Sequence, residues 1–193
     1  QPVVNDLSEA ETRKLYIDLL LHEAGWTVTE QVGKIVPRQA GIEIEVQGMP
    51  NESGMGYADY VLFDADVTPL AVVEAKRTSV DAVAGRHQAE LYADCLAARY
   101  VCPRPVIYYT NGFETNIIDG IGYPSRKVMG FHTIDELRRM IAQRGRADIT
   151  DLQISDRITN RNYQKRMIES VCKHYNSKHR RALLVMATGT GKT

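Results

Sequence analysis

The sequence predicts an α/β protein with one complete domain and the start of a second. Segments with a strand pattern alternate with segments with a helix pattern, and two of the strands, at residues 70–76 and 105–110, are apolar enough to be buried. Near the end, a helix predicted over residues 164–176 is followed by a short apolar strand predicted at residues 182–186 and then by a glycine-rich loop. With 193 residues, 44% hydrophobic and 25% charged, the chain can bury a substantial core.

The first predicted element is a helix. Ser8 followed three residues later by Glu11 has the spacing of a capping box, and Gly25 ends the helix. Trp26 then begins an extended stretch. Over residues 42–46, Ile, Ile and Val alternate with Glu, which predicts a half-buried strand with its apolar side chains on one face.

Two strands, a helix and a further strand come next. Residues 57–63 and 70–76 have strand patterns and are joined by a polar turn at residues 64–66. A helix is predicted over residues 80–99, and a buried strand over residues 105–110. We therefore expect a sheet with helices packed against it.

The predicted boundary between the domains lies in a polar, weakly patterned stretch. It follows a helix predicted over residues 133–144. We assign the first domain to residues 1–148, a linker to residues 149–160 and the second domain to residues 161–193.

The predicted hairpin brings two acids together. If it is symmetric about Asp66 and Val67, Asp59 lies opposite Glu74, with Cβ atoms about 5 Å apart, and Lys76 shares a face with Glu74. Two such carboxylates are suitable ligands for Mg²⁺. Lys76 could orient an attacking water or neutralise charge on a phosphate. The alternative is a surface ion pair at a strand end beside a turn acid.

Asp59 on one strand and Glu74-Ala75-Lys76 on the next resemble the PD-(D/E)xK nuclease superfamily, although Ala58 stands where proline is common. The resemblance implies a mixed central sheet flanked by helices. Gln88 and Tyr92 are similar to the QxxxY motif of a subset of these nucleases. They share a helical face, where they could bind a DNA phosphate or orient the lysine.

The resemblance adds one more candidate on the first helix. Because that helix of such nucleases often contributes an acid, Glu11 is a candidate ligand of the same metal site. Its alternative role is the capping box with Ser8.

The end of the sequence resembles the nucleotide-binding start of superfamily 2 helicases, a RecA-like domain. Met186 to Thr193 matches their A-x-x-G-x-G-K-T loop, with Met in the first position, and Arg161 to Gln164 resembles their Q motif. Lys192 would then contact the β- and γ-phosphates of ATP, and Thr193 its Mg²⁺. The implied ATP-binding residues are Gln164, Thr188, Gly189, Thr190, Gly191, Lys192 and Thr193. Because such a loop needs a following helix, we expect the chain to be a fragment that does not hydrolyse ATP alone.

Together these motifs resemble the R subunit of type I restriction enzymes, as do residues 11–26 and 108–112. The resemblance implies Mg²⁺-dependent cleavage of double-stranded DNA, coupled to ATP-driven translocation, in a complex with methylation and specificity subunits. One alternative is a nuclease–helicase fusion of DNA repair or remodelling. Another is a non-catalytic DNA-binding or docking module with a nuclease-like fold.

Charge and cysteine content bear on partners and location. Residues 1–66 contain 12 acids and 4 Lys or Arg, whereas residues 138–181 contain 12 Lys or Arg and 4 acids. The basic segment permits a polyanionic partner, although two solvated faces would have the same composition. Three cysteines without metal-ligand spacing predict reduced thiols. With no apparent leader or membrane span, we expect a cytoplasmic protein.

Overall fold

The computed structural model describes residues 8–145, 149, 153–177, 179, 181–187 and 189. The chain divides into two compact units, Gln1–Gly145 and Arg146–Thr193. Within the described residues, every helix is too short or too polar to cross a membrane.

A seven-stranded sheet forms the centre of the first unit, with its strands in sequence order. Neighbouring strands are parallel in the β1–β2 and β4–β5 pairs and antiparallel in the others. The sheet is therefore mixed, and the predicted α/β class is confirmed. The strands are β1 (Thr27–Val28), β2 (Gln39–Gln47), β3 (Met55–Phe63), β4 (Pro69–Ala75), β5 (Val106–Thr110), β6 (Thr115–Ile118) and β7 (Arg126–Val128).

Helices of the first unit lie before β1, between β4 and β5, and after β7. The chain begins with a helical segment that consists of α1 (Glu9–Thr12), a π-helical turn (Arg13–Ile17) and α2 (Asp18–Glu23). A 3₁₀ turn (Ala82–Gly85) runs directly into α3 (Arg86–Tyr100), and α4 (Ile134–Arg144) completes the unit. The predicted helix over residues 80–99 is thus confirmed, but its first turn is 3₁₀.

Two clusters of buried side chains form the core. Adjacent residues of a strand point to opposite faces of a sheet, and on β4 Val72 belongs to one cluster and Val73 to the other. The first cluster includes Leu21 of α2 and Leu137 of α4, and the second includes Ala89 of α3. Because both faces are covered, every residue of β4 is buried.

The register of the hairpin formed by β3 and β4 is the predicted one. Tyr60 pairs with Val73, and Leu62 with Ala71, so the next position along the strands sets Asp59 opposite Glu74. The register shifts only near the turn, after Leu62.

The strand predicted over residues 42–46 is confirmed as part of β2, but the prediction that its apolar side chains share one face is wrong. Ile42 packs against the first cluster, whereas Ile44 and Val46 belong to the second. Glu43 has a φ of 47°, in the left-handed region, and this backbone conformation interrupts the regular alternation of side chains.

The described part of the second unit contains α5 (Asn162–Asn176), which confirms the helix predicted there. The strand predicted at residues 182–186 is wrong, since residues 181–187 form no strand. A strand needs a hydrogen-bonded neighbour, and the described residues of this unit contain no other strand. Leu183 and Val185 are accordingly 90% and 84% exposed.

Candidate active site

The first group of site residues lies where β3 and β4 run side by side. Asp59 accepts a hydrogen bond from the backbone N–H of Ala75 through Oδ2, at 2.8 Å. Because Ala75 lies between Glu74 and Lys76 in the chain, this bond holds the Asp59 carboxylate beside them. The side chains of Asp59 and Glu74 are 16% and 3% exposed. The two predicted acids therefore lie on adjacent strands in a largely water-excluded place.

The predicted lysine is held by two side chains. Lys76 donates from Nζ to Oε1 of Glu74 at 2.8 Å and to Oε1 of Gln88 at 3.4 Å. Gln88 in turn donates from Nε2 to the Tyr92 hydroxyl at 2.7 Å. The helix α3 thus places Gln88 against the lysine and Tyr92 against Gln88, because residues four apart share a helical face.

The Tyr92 hydroxyl remains a neutral phenol in this setting. Burial raises its pKa, the hydrogen bond from Gln88 lowers it less, and the net direction is upward. Its position behind Gln88 allows it to fix the amide that binds Lys76.

The sequence patterns did not identify two residues of this site, Arg13 and Glu43. Arg13, on the π-helical turn, donates from Nη1 to Oδ1 of Asp59 at 2.7 Å and from Nη2 to Oε1 of Glu43 at 2.9 Å. Burial alone would lower the pKa of Arg13, but the carboxylates of Asp59 and Glu43 raise it overall. Arg13 and Asp59 are 46 residues apart, so no local spacing could have indicated their contact.

Glu11 lies at the beginning of the first helical segment, where it forms the predicted capping box. Its Oε2 accepts from the Ser8 backbone N–H at 2.9 Å and from the Ser8 hydroxyl at 2.7 Å. Its own N–H donates to Ser8 Oγ at 3.3 Å. The hydrogen bond from the Ser8 side chain is the main cause of a lowered pKa for Glu11. These contacts show the capping role; a role of Glu11 at a metal remains a prediction.

The donor chemistry of the site fits a hard divalent cation. Asp59 and Glu74 offer carboxylate oxygens, which Mg²⁺ commonly takes in ones or twos together with waters and a phosphate oxygen. Among the described residues, no three His, Cys, Asp or Glu side chains are grouped closely enough to share an ion.

The predicted nucleotide site is only partly described. Gln164 lies in the first turn of α5 and accepts a hydrogen bond from the Thr159 hydroxyl. Gly189 has a φ of 79°, a left-handed conformation that suits a glycine. The remaining predicted residues lie outside the described part of the chain: Thr188, Thr190, Gly191, Lys192 and Thr193.

Two family models match the chain. The model of the second domain of the type I restriction enzyme EcoKI endonuclease subunit matches residues 33–113. This range contains Asp59, Glu74, Lys76 and the Q-x-x-x-Y segment. The model of the res subunit of type III restriction enzymes matches residues 157–193.

Curated relatives and a solved structure are similar over almost the whole chain. The endonuclease subunit of EcoKI from Escherichia coli strain K12 is 28% identical, covering 97% of this chain and 20% of the relative. The corresponding subunit of EcoAI from Escherichia coli is 27% identical, covering 98% and 24%. A fragment described as an HsdR subunit of a type I restriction enzyme from Vibrio vulnificus YJ016 has a TM-score of 0.55 and 27% identity, covering 98% and 36%. The chain therefore spans less than a quarter of the length of these curated relatives.

Proposed function

We propose that this chain, a homologue of the endonuclease subunits of type I restriction enzymes, carries the nuclease site of such a subunit. The proposed reaction is Mg²⁺-dependent cleavage of double-stranded DNA. The observation that carries this proposal is the hydrogen bond from Ala75 N–H to Asp59, which holds one acid beside Glu74 and Lys76. In this interpretation the first unit is a PD-(D/E)xK nuclease core.

The side chains of the site divide the chemistry among them. A magnesium ion held by Asp59 and Glu74 would polarise a phosphodiester and acidify a water. Lys76 would neutralise charge that develops on the phosphate, because its ammonium is fixed between Glu74 and Gln88. Tyr92 would hold Gln88 in the orientation that binds the lysine.

For the second unit we propose the start of an ATP-driven translocation motor with a RecA-like fold. The match of residues 157–193 to a restriction res subunit supports this proposal, as does the position of Gln164 at the start of α5. ATP and Mg²⁺ would bind at the loop that contains Lys192 and Thr193. The relatives are named as endonuclease subunits of type I restriction enzymes, which supports assembly with other subunits and with DNA. We propose that these partners are methylation and specificity subunits and that the complex is cytoplasmic.

Plasmid cleavage tests the proposal. The full-length subunit is assembled with its partners, ATP and Mg²⁺, and ATP hydrolysis is followed in the same tubes. Asp59→Ala, Glu74→Ala and Lys76→Ala should each abolish cleavage and leave hydrolysis near the native rate, because the two reactions use different units. Lys127→Ala is the control, since Lys127 lies on β7 of the same sheet and forms an exposed ion pair with Glu114.

Unchanged cleavage by the Lys76→Ala subunit would refute the proposal and favour a non-catalytic DNA-binding module. Cleavage that needs no methylation or specificity subunit would instead favour a nuclease–helicase of DNA repair.

A further inference from the structure

Two glycines lie against the side chains of the proposed nuclease site. A Cβ on Gly85 would lie 3.0 Å from Cγ of Glu74 and 3.4 Å from Cε of Lys76. A Cβ on Gly56 would lie 2.6 Å from Cε1 of Tyr92 and 3.1 Å from its hydroxyl. Both glycines therefore stand where any side chain would press on a residue of the site.

Neither glycine is required by its backbone conformation. Gly85 has a φ of −83° and a ψ of −10°, which any residue adopts at the start of a helix. Gly56 lies in β3, paired with Val46 of β2, and is not among the described residues with positive φ. Since alanine would fit both backbones, the space beside them is what requires glycine.

The neighbouring groups have little room to move away. Glu74 is 2% exposed and Tyr92 is also 2% exposed, so each is confined by packing on its other sides. The bond from Lys76 to Gln88 is already 3.4 Å long, and a shift of a few tenths of an ångström would break it. Added carbon at either glycine would therefore disturb the lysine.

We propose that Gly85 and Gly56 are positioning residues that set how closely α3 approaches β3 and β4. The spacing between α3 and these strands fixes Glu74 and Lys76 beside Gly85, and it fixes Tyr92 beside Gly56. The inference rests on the proposed nuclease function and adds two residues to it. Gly85 acts directly on the acid and the lysine, whereas Gly56 acts through Tyr92 and Gln88.

The test uses Gly85→Ala in the full-length subunit assembled with its partner subunits. We expect the single-turnover cleavage rate at saturating plasmid to fall about 10²-fold, as small displacements of catalytic groups can do. The plasmid concentration at half-maximal rate and the rate of ATP hydrolysis should stay native. The urea midpoint of unfolding should fall slightly, because the added methyl group overpacks the contact with Glu74, but the subunit should still unfold cooperatively. Gly145→Ala is the matched control, since a Cβ there meets no atom within 4 Å.

A second variant, Gly56→Ala, tests the same inference at the contact between β3 and Tyr92 of α3. It should also reduce the cleavage rate and leave ATP hydrolysis native, because it displaces the tyrosine that holds Gln88.

Native cleavage by both glycine variants, with cleavage lost in Lys76→Ala, would overturn this inference and leave the proposed function intact. Loss of cleavage together with loss of ATP hydrolysis and of the cooperative urea transition in both variants would also overturn it, since the glycines would then be needed for folding. Native cleavage by Lys76→Ala would overturn the proposed function, and this inference with it.

Discussion

Replacement of Arg13 by methionine removes the guanidinium that joins Asp59 on β3 to Glu43 on β2. Arg13 and Asp59 are 17% and 16% exposed, and their atoms are 2.7 Å apart. The Glu43 side chain is 40% exposed, so water already screens much of its interaction with Arg13. The Asp59 contact should therefore account for most of the change in stability.

The size of the effect follows from what the substitution leaves behind. Removal of one partner of a fully buried pair costs about 3–5 kcal/mol, whereas an exposed pair contributes about 0–1 kcal/mol. Asp59 lies between these cases, and once the cation is gone it also lies near the carboxylate of Glu43, which binds the same guanidinium in the native protein. We therefore expect Arg13→Met to lower the free energy of unfolding by about 2–3 kcal/mol.

Urea unfolding followed by tryptophan fluorescence measures this change. Trp26 is the single tryptophan of the chain, is 1% exposed and donates from its indole N–H to the carbonyl of His132 at 2.9 Å. Its signal therefore reports unfolding of the first unit. Arg86→Met is the control, because Arg86 pairs with Glu90 on the helix surface and should contribute less than about 0.5 kcal/mol.

A double-mutant cycle separates the ion pair from other effects of the substitution. Asp59→Asn in the Arg13→Met chain removes the unpaired charge, so the double variant should be more stable than the sum of the single changes predicts, by at least about 1 kcal/mol. A loss below about 0.5 kcal/mol for Arg13→Met, the range of an ordinary surface substitution, would show that Arg13 does not stabilise the site.

Two further predictions concern hydroxyl and imidazole groups in the first unit. Tyr92→Phe should slow plasmid cleavage about tenfold, in the lower range for misplaced catalytic groups. It should cost about 1–2 kcal/mol of stability, because it removes the hydrogen bonds that the hydroxyl makes with Gln88 and with the backbone of Tyr57. Burial lowers the pKa of His132 from its ordinary 6.5, so the unfolded chain binds a proton more readily. The free energy of unfolding should therefore be greatest above pH 6.5 and should decrease as the pH falls towards the lowered pKa of His132. His132→Gln should weaken this pH dependence, measured by urea unfolding at pH 7.5 and pH 5.5.

The sequence predicts those parts of the site that depend on local periodicity. The two-residue period of strands and a symmetric turn predict the register that sets Asp59 opposite Glu74, and the structure confirms it. The helical period likewise predicts that Gln88 and Tyr92 share a face, and their side chains do meet. Their roles in catalysis remain predictions.

Other features depend on contacts that no local pattern contains. Arg13 reaches Asp59 and Glu43 only because the first helical segment packs on the folded sheet. Because Glu43 has a left-handed backbone conformation, Ile42 lies on the opposite face of the sheet from Ile44 and Val46. The alternation of apolar and polar residues in that segment is nevertheless regular. The apolar run at residues 182–186 has a strand composition, but composition cannot supply the neighbouring strand that a sheet requires.

The charges of the site connect these long-range contacts to the proposed reaction. The site contains three carboxyl side chains, on Glu43, Asp59 and Glu74, and two basic side chains, Arg13 and Lys76, which gives a formal net charge of −1. A bound divalent ion would change the net charge of the site to +1, and the single negative charge of a phosphodiester would then neutralise the site. Without Arg13, the same ion would leave the site neutral, with no excess charge to attract the phosphate. Arg13 thus supports both the position of Asp59 and the electrostatic balance of the proposed DNA-cleaving site.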